Sequence, residues 1–317
     1  DTVAGKFRTI QVLEDQNGGP TELLFTADLA PHESRTFELL AVNGPQPAQA
    51  PSRLTARFVP ERKDDFAWEN DRAAYRLYGP ALAAENARGG VDAWMKSVRY
   101  PIVDQWYAGK DYHTDKGEGM DGYKVGETLG CGGLGYLDKD GKLVTSPVFD
   151  ESRVIENGPI RLIVEFTYPG VKVNETSVVE TRRVQMDLGT NLFQVTSSFE
   201  IDGDATGITP VAGLTLRGEK KPKITRTQDF ITYWEPAMEN DQGHTGVALA
   251  TVPNAPIIKS HNAHGHVLLT LADSLEKPVT WYAGAGWSKN NIPTAADWTI
   301  EVGKQLHTHS KSPILIK

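Results

Sequence analysis

The chain has little that would mark a membrane, redox or nucleotide-binding protein. It carries one cysteine, Cys131, in 317 residues, so an intrachain disulfide is excluded. No apolar run approaches the ~18 residues that cross a bilayer as a helix. The net charge is −8, with acidic and basic residues interspersed, and a basic nucleic-acid surface is therefore not expected. The GxSxG nucleophile elbow and the GxxxxGK[ST] phosphate loop are both absent. The glycines of ETLGCGGLGY lie outside any strand–turn–helix context for a dinucleotide, and Cys131 among them has no evident activating partner. Helical periodicity is scarce. Residues 80–88 (PALAAENAR), stopped by Gly89-Gly90, predict one short helix. No repeat of fixed period is found. An initiator methionine is also lacking; the start at Asp1 is read as the product of leader removal after export.

What is present is strand. Residues 160–166, 177–188, 192–201, 247–252 and 266–272 are short runs rich in Val, Thr, Leu and Phe, several of them alternating apolar and polar positions. Asn157-Gly158-Pro159, Asp202-Gly203-Asp204, Asp140-Gly141 and the 187–189 segment supply turns between them. KFRTIQVLE, TELLFTADL and SRTFELLAV read as N-terminal strands, and the proline-rich 43–52 as a crossover. With 39% hydrophobic and 23% charged residues, the expectation is an all-β protein. Two large antiparallel sheets pack face to face as one domain over residues 1–317, with residues 1–50 as strands laid against the sandwich.

Residues 94–136 combine aromatics, carboxylates, lysines and His113 with many glycines. Such a stretch reads as a long structured surface connection rather than a core strand, and aromatic faces beside polar groups suit a sugar ring. Within it, Tyr112, His113, Asp115, Glu118, Asp121 and Tyr123 offer acid/base chemistry, while their spacing fits neither an EF-hand nor a zinc motif. Upstream, Asn70 and Arg72 either stand in a cleft, the guanidinium pairing with a sugar carboxylate, or belong to a salt-bridged sheet rim. SHNAHGH places His264 and His266 on one face of a strand with His261 before it; a polar strand entrance is favoured over a metal site. His307 and His309 are read as structural, on an edge strand. WYAGAGWSKNN sets Trp281, Tyr282 and Trp287 before Lys289, either a sugar platform with a cation or a hairpin with surface-packed tryptophans.

RKDDFAWENDRAAYRLYGPAL, GVDAWMKSVRYPIVDQWY, YHTDKGEGMDGYKVGETLGCGGLGY and VFDESRVIENGPIRLIVEFTY resemble an all-β family of bacterial polysaccharide-utilisation clusters catalogued as a domain of unknown function. The segment WYAGAGWSKNNIPTAADW is similar to that family's last segment, so the likeness covers nearly the whole chain. The resemblance implies a periplasmic carbohydrate-active protein with an architecture like the galactose-mutarotase supersandwich. It further implies work on uronate polymers such as ulvan, with dehydratase-type chemistry on lyase-generated oligosaccharides. On that basis the expected reaction adds water to the terminal 4,5-unsaturated uronic acid and releases a 4-deoxy-5-keto uronate. The alternatives are β-elimination on a uronate polymer and non-catalytic glycan binding. His113 is assigned as acid/base, with Tyr123 or Asp115 as its partner. Arg72 and Lys96 would clamp the carboxylate, Trp94, Trp106 and Trp287 would stack on the sugar, and Asn70, Lys289 and His264 complete the binding set. No cofactor is implied and no metal ligand set is assigned, although a bound ion is compatible with these residue types. The expected partner is a uronate oligosaccharide, with no nucleic acid and no membrane span.

Overall fold

The computed structural model describes residues 8–15, 18–30, 32–39, 51–109, 111–218, 222–237, 242–253, 257, 259–290 and 292–310. The nine-stranded sheet runs in the order Glu151–Asn157, Arg161–Thr167, Thr176–Asp187, Leu192–Asp202, Val279–Trp287, His244–Thr251, Phe230–Pro236 and Lys223–Arg226, with Val171–Val173 also paired to Thr176–Asp187. A first five-stranded sheet is Thr55–Val59, Asp65–Glu69, Ala74–Leu77, Val91–Lys96 and Gly119–Met120; a second is Ser260–Ala263, His266–Thr270, Thr209–Thr215, Cys131–Leu137 and Leu143–Thr145. The two five-stranded sheets meet at the bridges Val91↔Gly130 and Arg88↔Pro147 and act as one layer. All neighbouring strands within the sheets pair antiparallel. The large antiparallel sandwich predicted from the strand runs is thus the fold.

Alternation fills the space between the layers. Thr176–Asp187 turns every second side chain inward, as a strand covered on one face must. Phe166, Val184, Phe193, Val247, Leu249 and Trp281 meet Trp68, Tyr75, Cys131, Leu134 and Tyr136 in one buried cluster. Trp68 stacks on Tyr75 with centroids 5.7 Å apart. The Tyr75 hydroxyl joins the layers, donating to the Asn191 carbonyl at 2.5 Å and accepting the Ala285 N–H at 2.8 Å.

Three expectations are corrected here. Cys131–Leu137 (CGGLGYL), read from its glycines as surface connection, is a buried strand with neighbours on both sides. Its glycines are there for close packing: a Cβ at Gly133 would stand 2.6 Å from the Leu129 carbonyl oxygen and 2.9 Å from Gly90 Cα. Val279–Trp287 is likewise a buried interior strand, not a hairpin with surface tryptophans. Finally, His307 and His309 lie in a helix rather than an edge strand. After the short helix α1 (Val103–Ala108), α2 (Ala295–Ser310) packs Trp298, Val302 and Leu306 on Phe230, Trp234, Ala248 and Tyr282 at the back of the nine-stranded sheet. The indole of Trp298 rests on backbone: a Cβ at Gly246 would meet its Cδ1 at 2.5 Å.

Smaller differences follow the same logic. The helix predicted over 80–88 is a 3-10 turn, Pro80–Glu85, ended by Asn86 in the left-handed region. At the N-terminus, Ile10–Glu14 and Pro20–Phe25 form a hairpin, and residues 34–39 form no strand. Gln11 fixes the hairpin to the sandwich: its Oε1 accepts the N–H groups of Ile160 and Arg161, and its Nε2 donates to the Arg161 carbonyl. Residues 43–50 of the expected crossover lie outside the described residues.

Candidate active site

On the first five-stranded sheet, alternation sends Phe66, Trp68, Tyr75, Leu77, Val91 and Ala93 into the sandwich core. The residues between them face the other way. That outer face is apolar around Val59, Ala67, Ala74 and Trp94, and α1 covers it with Val103 and Trp106. It also carries charge: Arg76 and Asp92 are directly opposed across the strand pair.

Arg76 is the hub. Its Nη2 donates to Asp92 Oδ2 at 2.5 Å and to Asp121 Oδ2 at 2.9 Å, and its Nη1 to the Tyr112 hydroxyl at 3.3 Å. The guanidinium lies 5.3 Å from the ring centroids of both Tyr78 and Trp94. Asp65 Oδ2 stands 3.8 Å from Arg76 Nε and 3.6 Å from Arg62 Nη1, beyond hydrogen-bonding distance. Those three atoms, together with Asp92 Oδ1 and Tyr107 Oη, are buried with no hydrogen-bond partner among the described residues. Burial pushes the Asp65 carboxyl up to about 6 against the opposing pull of Arg76 and Arg62. Burial, reinforced by Asp121, pushes Asp92 up to about 7. Carboxyls whose proton affinity is raised toward neutrality beside unfilled polar atoms are common at functional sites.

His113 stands at the mouth of this cluster. Its side chain is 62% exposed, and its Nδ1 lies 3.4 Å from Asp121 Oδ2 and 3.3 Å from the Asp121 carbonyl oxygen. Two acceptors on one nitrogen fix the proton on Nδ1 and leave Nε2 for proton exchange. The ring packs on Tyr112 at 4.5 Å, Tyr112 on Trp94 at 5.4 Å, and Trp94 stacks on Trp106 at 5.4 Å. His113, Trp94 and Trp106 are therefore linked by one aromatic chain. The two indoles are largely buried and serve as its inner wall rather than as an open stacking platform.

The remaining predicted residues go elsewhere. Lys96 is fully buried, donating to Glu69 Oε2 at 2.6 Å and to the Asn70 carbonyl at 2.7 Å; burial lowers its pKa, with Glu69 opposing. It cannot clamp a substrate. Asn70 is spent on the chain itself: Nδ2 donates to the carbonyls of Asp187 and Thr190, and Oδ1 accepts the N–H groups of Arg72 and Ala73. Tyr123 is buried in the sandwich core under Arg217, whose guanidinium is 4.1 Å from its ring, so it is not the partner of His113. Asp115 organises its own loop, accepting the N–H groups of Gly117 and Gly119, and its Oδ2 lies 3.4 Å from Lys289 Nζ. Asp121, not Asp115, backs the imidazole. Trp287 is buried, its indole N–H donating to the Gln242 carbonyl.

His264 sits in a turn at φ 51° and reaches the Gly141 carbonyl at 2.8 Å, pinning two hairpin turns together rather than facing a sugar. Its neighbour His266 is buried, accepting the Leu129 N–H at Nε2 and donating from Nδ1 to the His264 carbonyl. Both nitrogens are used, so His266 is structural. No group of three or more His, Cys, Asp or Glu side chains able to hold a metal ion occurs among the described residues, and no helix among them is long and apolar enough to cross a membrane.

Arg72 makes no contact with His113, but with Asn290 it borders a small pocket that also touches Trp94, Lys96 and Trp287. It pairs with Glu301 of α2 at 3.2 Å and lines a cavity of about 330 Å³ together with Arg99, Asn290, Asp297 and Lys304. Sequence reasoning named Asp121 only as one of several carboxylates and missed Arg62, Asp65, Arg76 and Asp92. The signal for the last two was present: Arg76 and Asp92 interrupt otherwise apolar strands, and a charge in a buried strand needs a partner.

Among proteins of known sequence, the chain is 35% identical over 304 residues to "Uncharacterized protein P7" of Formosa agariphila, a match covering 90% of this chain and 75% of that protein. Among solved structures, "Putative kojibiose phosphorylase from human microbiome" aligns at a TM-score of 0.47 and 14% identity, covering 82% of this chain. The chain spans only 35% of the length of that protein. A family model described as "Domain of unknown function (DUF4861)" matches residues 2–313, and the chain belongs to that family.

Proposed function

We propose that the chain is a carbohydrate-active enzyme that hydrates the terminal 4,5-unsaturated uronic acid of lyase-generated oligosaccharides. A proton is added at C4 and the hydroxyl of water at C5. The hemiketal at C5 opens, the ring oxygen remains on C1 as a hydroxyl, and collapse of that hemiacetal expels the next sugar, leaving a 4-deoxy-5-keto uronate. In this reading His113 Nε2 exchanges the proton, and Asp121 holds the ring through Nδ1. Arg62, at the rim, takes the carboxylate-clamping role first given to Arg72 and Lys96. Tyr112, backed by the buried Trp94, gives the sugar an apolar face. The observation that carries the reading is the pairing of His113 with Asp121 above buried carboxyls whose hydrogen-bonding capacity is unfilled.

The test is incubation with a panel of lyase-digested uronate polysaccharides, following the absorbance of the enol ether. Loss of absorbance that depends on His113 is the expected result. Gain of absorbance on intact polymer would replace hydration with β-elimination, and binding without turnover would leave a glycan-binding protein. The reading includes export to the periplasm, which fractionation of the native cells checks.

A further inference from the structure

The cavity against α2 is not used by the chemistry proposed above. It is built where three parts of the fold converge: Arg72 from the turn before Ala74–Leu77, Arg99 from the loop after Val91–Lys96, and Asp297, Glu301 and Lys304 from α2. The three cations outnumber the two carboxylates. Arg72 has spent Nη1 on Glu301, while its Nε is buried with no hydrogen-bond partner. Arg99 gives Nη1 to the Asp71 carbonyl at 3.1 Å, leaving its other N–H groups. Asn290 donates its amide N–H to the Lys96 carbonyl at 2.6 Å, which leaves its side-chain oxygen as an acceptor.

We infer that this cavity, whose lining does not include His113, binds one uronate-type sugar acid. The excess of cations calls for an anion, and guanidinium groups pair with a carboxylate. A bare inorganic anion is disfavoured because Asp297 and Glu301 would face it. A ring that carries one carboxylate and several hydroxyls satisfies both sets, its hydroxyls donating to Asp297, Glu301 and the Asn290 oxygen. At about 330 Å³ the cavity is at the small end of ligand pockets, which run from roughly 300 Å³ upward, and suits a single ring.

The experiment is calorimetric titration of the His113→Ala protein, in which turnover cannot enter, with glucuronate, glucose, alanine and inorganic sulfate. Millimolar or tighter glucuronate binding is expected, with glucose, alanine and sulfate each at least tenfold weaker. Arg72→Met and Arg99→Met, each shown to be folded by circular dichroism, should weaken glucuronate at least tenfold. Absence of glucuronate binding at millimolar concentration, unchanged affinity in both folded variants, or equal binding of sulfate or alanine overturns the inference. Because the readout is binding, its failure leaves the hydration assay untouched, and failure of that assay leaves this site standing.

Discussion

Lys96–Glu69 and Arg76–Asp92 are buried ion pairs on the outer face of one five-stranded sheet, and they are finished very differently. Around Glu69 everything is satisfied: its carboxylate takes Lys96 Nζ and the N–H groups of Ile102 and Val103 at the start of α1, and Lys96 also reaches the Asn70 carbonyl. Around Arg76, one oxygen of Asp65, one of Asp92, the Nε of Arg76 and an Nη of Arg62 are enclosed without partners. Both sites are charged and buried, so charge and burial do not separate a structural pair from one proposed to work. Unfilled hydrogen-bonding capacity does distinguish these two clusters, because several such atoms gathered in one place call for water, a ligand or a functional role.

The comparison breaks most sharply at Lys96. Lys96→Met leaves Glu69 as a buried carboxylate without its cation, and removing one partner of a buried pair costs about 3–5 kcal/mol. Urea denaturation should show that loss, with the residual folded protein unchanged in specific activity. A fall in specific activity of the folded fraction would make Lys96 part of the site after all. The opposite pattern is expected at the other cluster. His113→Ala should lower turnover about 10²–10⁴-fold, the range for a general acid or base. Because the side chain is 62% exposed, stability should change by no more than ~0.5 kcal/mol.

The strands were legible because their period-two alternation is written in side chains that pack between two layers; Thr176–Asp187 and Leu192–Asp202 were located to within a few residues. Cys131–Leu137 was not, because its glycines signal an absent side chain and not the neighbour that needs the space. Helix α2 escaped because its buried stripe is only Trp298, Val302 and Leu306, although a cap was visible in Thr294 and Asp297: the Thr294 hydroxyl accepts the Asp297 N–H at 3.2 Å and donates to its carboxylate at 2.6 Å. For the site, aromatic density around His113 pointed to the cluster proposed here. Arg72 and Arg76 could not be told apart from sequence because the two differ in which face of the sheet and which turn they occupy, and that depends on register.

The two raised carboxyls sharpen the comparison through pH. Asp65 and Asp92 are held near 6 and 7 in the folded protein, above the ordinary unfolded value of about 4. Between about pH 4 and 7 these two groups therefore bind more protons in the folded state than in the unfolded state, and their contribution to stability falls as pH rises through this window. Asp65→Asn retains an acceptor for the Gly79 N–H, which Asp65 Oδ1 takes at 3.2 Å, and removes the titration. It should match the parent near pH 4 and exceed it by about 1–3 kcal/mol at pH 7. Equal pH profiles for the two proteins would mean that the Asp65 carboxyl is solvated or fully partnered, and the contrast with Glu69 would fail.

The smallest effect belongs to a group whose capacity is filled at the surface. His264→Gly gives up the bond to the Gly141 carbonyl, about 0.5–1.5 kcal/mol. It also relieves a side chain held at φ 51°, a left-handed conformation that costs non-glycine residues about 1–2 kcal/mol. The two changes oppose each other, so thermal unfolding should shift little, and turnover on the unsaturated oligosaccharides should stay within about twofold, well short of the loss expected for a group that touches the reacting sugar. A tenfold loss of turnover at unchanged stability would put His264 against the substrate and show that a residue engaged in pinning two turns together can belong to the site, which is the one result that the contrast between the two ion pairs does not allow.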